Sequence, residues 1–142
     1  MGSRKYSFAC YYTSNNYILD NMLNRSLRTR DGERFYMEQR AKEDKNFCFL
    51  CERDLLRKKF RYWFICENRY PYTLVASKHD LLACKRHIKT LNDLTTAEIV
   101  ELESITYQIF KRELDYDQIT FNVPHRQSTP FHLHFHLIKI KG

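Results

Sequence analysis

The chain has 142 residues, 43% of them hydrophobic and 15% aromatic, and a formal net charge of +7. This composition is enough for one folded core and excludes global disorder. Charged residues interrupt each apolar run well before the roughly 18 residues that a transmembrane helix needs. The three glycines, Gly2, Gly32 and Gly142, leave residues 33–141 without one. A Walker loop and a GxGxxG dinucleotide turn both need glycines beside phosphate, so the sequence excludes both motifs.

The first part of the chain differs from the rest in composition. It is rich in arginine, lysine, asparagine and serine, and we interpret residues 1–46 as an N-terminal, partly helical arm. Apolar residues at helical spacing predict a helix at about residues 16–28, and a second helical stretch is expected at residues 33–45. Gly32 predicts a break between them. Residues 47–142 form the main domain in this interpretation.

The main domain combines short aromatic or branched runs with one long helical pattern. Thr95 and Glu98 have the spacing of a capping box, in which each side chain satisfies an orphaned backbone donor. They predict a helix that continues to about Leu114. Strands are predicted on both sides of this helix, at residues 60–66, 72–76, 80–84, 118–123 and 132–140. Short connections favour antiparallel pairing, so the predicted fold class is α+β.

The last predicted strand carries a row of histidines. His132, His134 and His136 are separated by single apolar residues. Because side chains of a strand alternate between its faces, the three imidazoles should share one face. Histidine is costly to bury unless its nitrogens are paired, so packing alone does not explain the row. It suits metal binding or nucleophilic and acid–base catalysis. His79 and His125, outside the row, are expected to face solvent.

The segment HLHFHLI, residues 132–138, resembles the His-φ-His-φ-His-φ-φ motif of the histidine triad (HIT) superfamily. Further similarity lies in the Asn-x-x-Pro segment at residues 68–71, in the run from DLLACKRHI to LNDLT at residues 80–95, and in FNV at residues 121–123. The resemblance covers about residues 47–141. It implies a two-layer HIT-like fold, in which an antiparallel sheet of about five strands packs against helices. It also implies a protein that is often dimeric and that transfers or hydrolyses nucleotides.

The resemblance also implies roles for individual residues. His134 would attack the α-phosphorus of a nucleotide conjugate, and water would hydrolyse the resulting covalent nucleotidyl-histidine. His136 would contact phosphate oxygens and take part in catalysis. The loop before the row departs from the family's Gly-Gln-Ser/Thr pattern, and Arg126 offers it a guanidinium for phosphate. The residues expected to bind nucleotide or phosphate are Asn68, Asn122, Arg126, Gln127, Ser128, Thr129 and His136.

Five cysteines, with no apolar secretory segment in MGSRKYSFAC, favour reduced thiols and an intracellular protein, cytoplasmic or nuclear. Cys48 and Cys51 form a CxxC pair, which serves either metal binding or redox chemistry. A zinc-containing subset of the HIT superfamily resembles this arrangement. The resemblance implies a Zn²⁺ site made by Cys48, Cys51, His87 and His132. Four protein ligands leave no open position, so this zinc would be structural.

Four functions stay open at this point. The leading one is hydrolysis of a nucleoside phosphoramidate or a dinucleoside polyphosphate. The second is a nucleotidyltransferase or phosphorylase of the same fold. The third is a nucleic-acid-binding module with a deadenylating or degenerate site, favoured by the basic arm. The fourth is a catalytic metal held by the three histidines. The expected partner is a nucleotide or nucleotide conjugate. Nucleic acid and a second copy of the chain are open alternatives, and no membrane partner is expected.

Overall fold

The computed structural model describes residues 27–123, 127 and 131–142, which contain one five-stranded antiparallel sheet. The helices are α1 (Arg30–Lys42), α2 (Phe49–Glu52) and α3 (Thr96–Phe110), with a 3-10 turn at Leu91–Asp93. The strands are β1 (Leu56–Lys59), β2 (Trp63–Glu67), β3 (Ala76–Cys84), β4 (Gln118–Thr120) and β5 (His134–Ile140). Their spatial order is β1-β2-β3-β5-β4. The predicted α+β class and five-stranded antiparallel sheet are confirmed.

Helix α1 begins earlier than the sequence predicts and runs through Gly32. Thr29 caps it, because the threonine backbone is extended and its Oγ1 accepts a hydrogen bond from the Gly32 amide. This bond satisfies a backbone donor of the first turn, so glycine is accommodated there. The predicted break at Gly32 is therefore wrong, and the helix ends at Lys42. Of the helix predicted at residues 16–28, only the last two residues lie within the described part of the chain.

Strand β3 is nine residues long and replaces one of the two strands predicted between residues 72 and 84. The amides of Val75 and Ala76 both donate to the Tyr72 carbonyl, at 3.1 and 2.9 Å, and these bonds close a turn. The predicted strand at residues 72–76 is therefore wrong. Strand β3 extends over residues 76–79 because β5 pairs along its length, from Ala76 opposite Ile140 to Ala83 opposite His134.

The two faces of the sheet carry different side chains. Ala83 and Leu81 stand opposite His134 and His136 in the register, so these four residues share one face. The other face forms the main core with α3. The buried residues of this core include Trp63, Ile65, Leu82, Ile105, Ile109, Leu133, Phe135 and Leu137. The predicted alternation of histidines and core residues along β5 is confirmed.

Helix α3 begins with the predicted capping box. Thr95 Oγ1 accepts from the Glu98 amide at 3.3 Å, and the Glu98 carboxylate accepts from the Thr95 amide at 2.7 Å. The helix ends at Phe110, before the predicted Leu114, where Arg112 adopts a left-handed conformation with a φ of 62°. Glu98 also accepts two bonds from the Arg86 guanidinium, at 2.6 and 2.7 Å.

The outer parts of the sheet are shorter or more polar than the sequence predicts. Strand β1 is not predicted at all, because its four residues, LRKK, carry three charges and only the leucine is partly buried. Charged edge strands resist pairing with other chains. Strand β4 covers three of the six predicted positions, and β5 begins at His134 rather than His132. Within the described residues, no helix is long and apolar enough to cross a membrane.

Candidate active site and metal centre

All three histidines of the row are buried, although only the last two belong to β5. His132, His134 and His136 are 1%, 3% and 4% exposed. The rings of His134 and His136 have centroids 5.2 Å apart. His132 precedes the strand, and its ring meets that of His87 edge-on with centroids 5.0 Å apart. The two ends of the row therefore lie in different surroundings.

The backbone fixes the tautomer of the middle histidine. His134 Nδ1 lies 2.8 Å from the carbonyl oxygen of His132, which can only accept a hydrogen bond. Nδ1 therefore carries the hydrogen, and Nε2 keeps its lone pair. Burial lowers the pKa of His134 below its ordinary value, and the bond to the carbonyl partly opposes this shift. The ring is neutral at pH 7 and has one nucleophilic nitrogen.

A chain of hydrogen bonds fixes the tautomer of the last histidine. The Tyr72 backbone N–H donates to His79 Nδ1 at 2.9 Å, so the hydrogen of His79 is on Nε2. His79 Nε2 donates in turn to His136 Nδ1, 2.8 Å away, so the hydrogen of His136 is also on Nε2. We call this chain the His79–His136 relay. Burial first, and then nearby charged groups, lower the pKa of His79 to about 4 and that of His136 to about 3.

The relay ends at two N–H donors that lie side by side. His136 Nε2 is 3.3 Å from Asn122 Nδ2, and the Asn122 amide donates to the Tyr72 hydroxyl at 3.1 Å. Gln127 Nε2 donates to the Asn122 backbone carbonyl at 2.8 Å and so holds this segment near the ring. Paired N–H donors of this kind stabilise an oxyanion. The arrangement suits a phosphoryl oxygen.

The arm forms one wall of the cavity beside His134 and His136. Arg28 Nε donates to the Tyr70 carbonyl at 3.1 Å, and the Tyr70 hydroxyl donates to Glu43 at 2.9 Å. The cavity volume is about 20 Å³, roughly the space of one water molecule. The lining residues are Arg28, Arg40, Glu43, Phe49, Asn68, Tyr70, Leu81, His134 and His136.

Four metal-binding donor atoms converge at the His132 end of the row. The donors of Cys48, Cys51, His87 and His132 all lie within 4.8 Å of one another. Cys51 Sγ is 3.1 Å from His87 Nδ1, and Cys48 Sγ is 3.3 Å from His132 Nδ1. In a tetrahedral site with bonds of about 2.3 Å to sulfur and about 2.0 Å to nitrogen, such atoms are ~3.5 Å apart. These four residues could therefore hold a metal ion, and we call them the metal cluster.

The local structure prepares the metal cluster for a cation. His132 Nε2 donates to the Cys84 carbonyl at 2.7 Å, so Nδ1 presents a lone pair to the cluster. The CxxC pair opens helix α2, and the two histidines complete a four-ligand set that a redox pair does not need. Partial desolvation of the thiol, and then the neighbouring Cys48, raise the pKa of Cys51 to about 11, although the residue is exposed as a whole. A cation must displace that proton, so binding is favoured as the pH rises.

The structure brings the described site residues that the sequence predicts into two neighbouring groups. The metal cluster is one, and the other contains His134, His136, Asn68, Asn122 and Gln127. The predicted phosphate ligands Arg126, Ser128 and Thr129 lie outside the described residues, as does His125.

The sequence alone does not point to Tyr72 and His79 of the relay, or to Arg28 and Arg40 of the cavity wall. His79 is 3% exposed, so the expectation that it faces solvent is wrong. Strand periodicity could have indicated its position, since His79, Leu81 and Ala83 are alternate residues of β3 and lie on the same face as the histidine row.

No protein-family model matches the sequence, and a comparison with curated proteins finds no match. Solved structures do resemble the fold. A histidine triad protein from Clostridium difficile is 20% identical with a TM-score of 0.51, covering 70% of this chain and 95% of that one. A HIT family hydrolase from Clostridium thermocellum is 21% identical with a TM-score of 0.50, covering 68% of this chain and 92% of that one. The chain therefore has the histidine-triad fold that the sequence resemblance predicts.

Proposed function

We propose that the chain is a nucleotidyl hydrolase that cleaves a nucleotide conjugate through a covalent intermediate on His134. One observation carries the proposal. His134 is buried, neutral and locked with its Nδ1 hydrogen on the His132 carbonyl, so Nε2 is the nucleophilic atom. The histidine-triad fold supports the proposal, and one protein of this fold is named a hydrolase.

In the first step, the Nε2 lone pair of His134 attacks the α-phosphorus. A P–N bond forms while the bond from phosphorus to the leaving group breaks, and its electron pair departs with the leaving group. The His132 carbonyl accepts from Nδ1 throughout and so stabilises the positive charge that the ring acquires. A leaving group that departs through a phosphate oxygen needs no proton, whereas an amine takes one from the solvent.

In the second step, water attacks the same phosphorus. The P–N bond breaks, its electron pair returns to Nε2, and a proton of the water passes to the solvent. The products are a nucleoside monophosphate and restored His134. In both steps His136 Nε2–H and Asn122 Nδ2 donate to phosphoryl oxygens. His136 acts as a hydrogen-bond donor here, because the relay occupies its Nδ1.

The remaining contacts follow the sequence resemblance. Asn68 lines the cavity at the His136 end and is proposed to bind the nucleoside side of the substrate. Gln127 is proposed to act through Asn122, whose carbonyl it binds. The loop with Arg126, Ser128 and Thr129 is the proposed source of further phosphate contacts.

We also propose that the metal cluster holds Zn²⁺ and that this ion is structural. Two thiolates and two imidazoles are the donor types that zinc prefers, and four protein ligands leave no open position for substrate. When bound, the ion supplies cross-linking rather than chemistry. The residues themselves join α2, the loop of His87 and the start of the histidine row.

The proposal is tested with His134→Asn, assayed on adenosine phosphoramidate and on dinucleoside polyphosphates. We expect a loss of roughly 1,000-fold or more in turnover of every substrate that the parent cleaves. Acid-quenched mass spectrometry should show a nucleotide adduct on the parent and none on the variant. Turnover by the variant at the parent's rate would reject His134 as nucleophile. Product analysis with and without added phosphate separates hydrolysis from transfer to phosphate.

A further inference from the structure

A second, larger cleft opens at the opposite end of the histidine row. Its volume is about 240 Å³, and it is lined by Lys45, Phe47, Lys89 and Phe131 beside members of the metal cluster. The described residues of its lining include two lysines and no carboxylate. The proposed chemistry at His134 does not use this cleft.

The side chains of the cleft match the parts of a nucleotide. Phe47 and Phe131 are 46% and 50% exposed, so their rings are accessible for stacking with a base. Lys89 Nζ lies 5.7 Å from the centre of the Phe131 ring, close enough for one nucleotide to contact both its charge and the ring. Lys45 adds a second positive charge to the lining. Cations that alternate with aromatic rings suit phosphates that alternate with bases.

The cleft adjoins the His132 end of the histidine row through the metal cluster. His87, at the cleft, has its ring centroid 5.0 Å from that of His132. His132 and His134 are two residues apart, about 7 Å along an extended chain. Under the proposed function, the nucleoside half of the substrate binds at the His136 end with Asn68. The His132 end is then the side towards which the departing half extends.

We propose that this cleft binds the departing half of the substrate and that this half is itself a 5′-phosphorylated nucleoside. The inference rests on the proposed function and narrows its substrate class. Such a half is present in a dinucleoside polyphosphate and in the nucleotidylated end of a nucleic acid, and absent from a simple phosphoramidate. When the bond from the α-phosphorus to the bridging oxygen breaks, the electron pair stays on that oxygen. Lys45 and Lys89 stabilise the negative charge that the departing phosphate gains.

The test compares three substrates: a dinucleoside tetraphosphate, a 5′-adenylylated oligonucleotide and adenosine phosphoramidate. Lys45→Ala/Lys89→Ala should lower kcat/KM about tenfold or more for a substrate with a nucleotide leaving group, since each lysine makes a charge-assisted contact. Phe131→Ala should lower it about fivefold through lost stacking. Turnover of the phosphoramidate should change less than about twofold. Lys58→Ala/Lys59→Ala, on edge strand β1, is the matched control for charge and should change none of the three.

The outcome also identifies the source of the departing nucleotide. A loss confined to the tetraphosphate indicates a free nucleotide, and a loss confined to the oligonucleotide indicates a nucleic-acid end. Equal losses on all three substrates, or none with either nucleotide leaving group, would overturn the inference. Zinc content, measured on each variant, shows whether the neighbouring metal cluster is intact.

Failure of the proposed function is distinguishable from failure of this inference. If the parent cleaves no substrate, hydrolysis is rejected, and equilibrium binding of a 5′-phosphorylated oligonucleotide then tests the cleft. Binding that weakens about tenfold in Lys45→Ala/Lys89→Ala, and not in Lys58→Ala/Lys59→Ala, supports a nucleotide site. Equal binding by both variants rejects it.

Discussion

The two outer histidines of the row are equally buried, but the chain holds them by different means. At one end, His132 joins two thiols and a second imidazole on short, partly exposed elements, with Cys51 itself exposed. At the other end, His136 is fixed by His79 and the Tyr72 backbone, both attached to the central strands or their connecting turn. The first end offers four ligand atoms to an ion. The second needs only hydrogen bonds between neutral rings.

This difference separates two requirements of one site. Under the proposed function, the metal cluster fixes the start of the row, and the His79–His136 relay fixes which nitrogen of His136 faces the substrate. Damage at the first end should therefore appear as lost metal and lost stability. Damage at the second should appear as lost activity with the metal retained. Four substitutions test this separation, two at each end of the row.

The largest effect is expected from Cys48→Ser, which removes one thiolate from the metal cluster. The variant should lose its bound ion and destabilise the fold by an amount on the order of several kcal/mol, because metal binding is coupled to folding. Calorimetry should show a Tm lower by roughly 10 °C. Cys66→Ala, at a buried thiol outside the cluster, should retain the ion in elemental analysis. Full metal content in Cys48→Ser would contradict the assigned ligand set.

A smaller effect, confined to catalysis, is expected from His79→Asn, which removes the donor to His136 Nδ1. Loss of this bond frees the tautomer of His136 and should lower kcat roughly tenfold, with metal content unchanged. Nitrogen-15 NMR of the imidazoles should show the His136 hydrogen shared between its two nitrogens. In His134→Asn the relay is intact, so His136 should keep its hydrogen on Nε2. An unchanged His136 tautomer in His79→Asn would show that the relay does not control it.

Glu98 tests the metal end of the row without being a metal ligand. It binds Arg86, the residue that precedes the ligand His87. Its hydrogen bonds with the Arg86 guanidinium lower the pKa of Glu98 to about 2, from an ordinary 4.5. Because the folded state has the lower pKa, this stabilisation is complete above about pH 4.5 and is lost as the pH falls towards about 2. Glu98→Gln should cost about 1.5 kcal/mol at pH 7 and flatten the acid limb of the stability profile. Glu103→Gln, on the exposed side of α3, should leave that limb unchanged.

The smallest effect is expected from Tyr70→Phe, at the wall beside the relay. The Tyr70 hydroxyl donates to Glu43, so its removal loosens α1 by about 1 kcal/mol. Hydrogen exchange of the α1 amides should accelerate about fivefold, with little change in global Tm. Tyr107→Phe, at an exposed ring of α3, is the control. Unchanged exchange in α1 would show that this bond does not hold the arm.

The parts of the fold that the sequence predicts are those with strong local patterns. Strand β5 and the capping box of α3 follow from alternation and from a four-residue spacing. The predicted strand at residues 72–76 is wrong because two backbone amides bind the Tyr72 carbonyl and close a turn. Strand propensity does not predict these hydrogen bonds. Strand β1 could not be predicted from the sequence, because three of its four residues are charged and lie at an exposed edge.

The residues of the candidate site likewise differ in whether a local sequence pattern predicts them. The metal ligands and the central histidine follow from short motifs and from a family resemblance. The position of Arg28 in the cavity wall follows from no motif, because Arg28 and the Tyr70 carbonyl that it binds are 42 residues apart in sequence. His79 lies between these cases, since the strand period places it on the correct face but no local motif marks it.

His132 takes part in both halves of the site through different atoms. Its ring belongs to the metal cluster, while its carbonyl oxygen holds His134 Nδ1 at 2.8 Å. Under the proposed function, one residue thus holds the structural ion through its side chain and orients the nucleophile through its backbone.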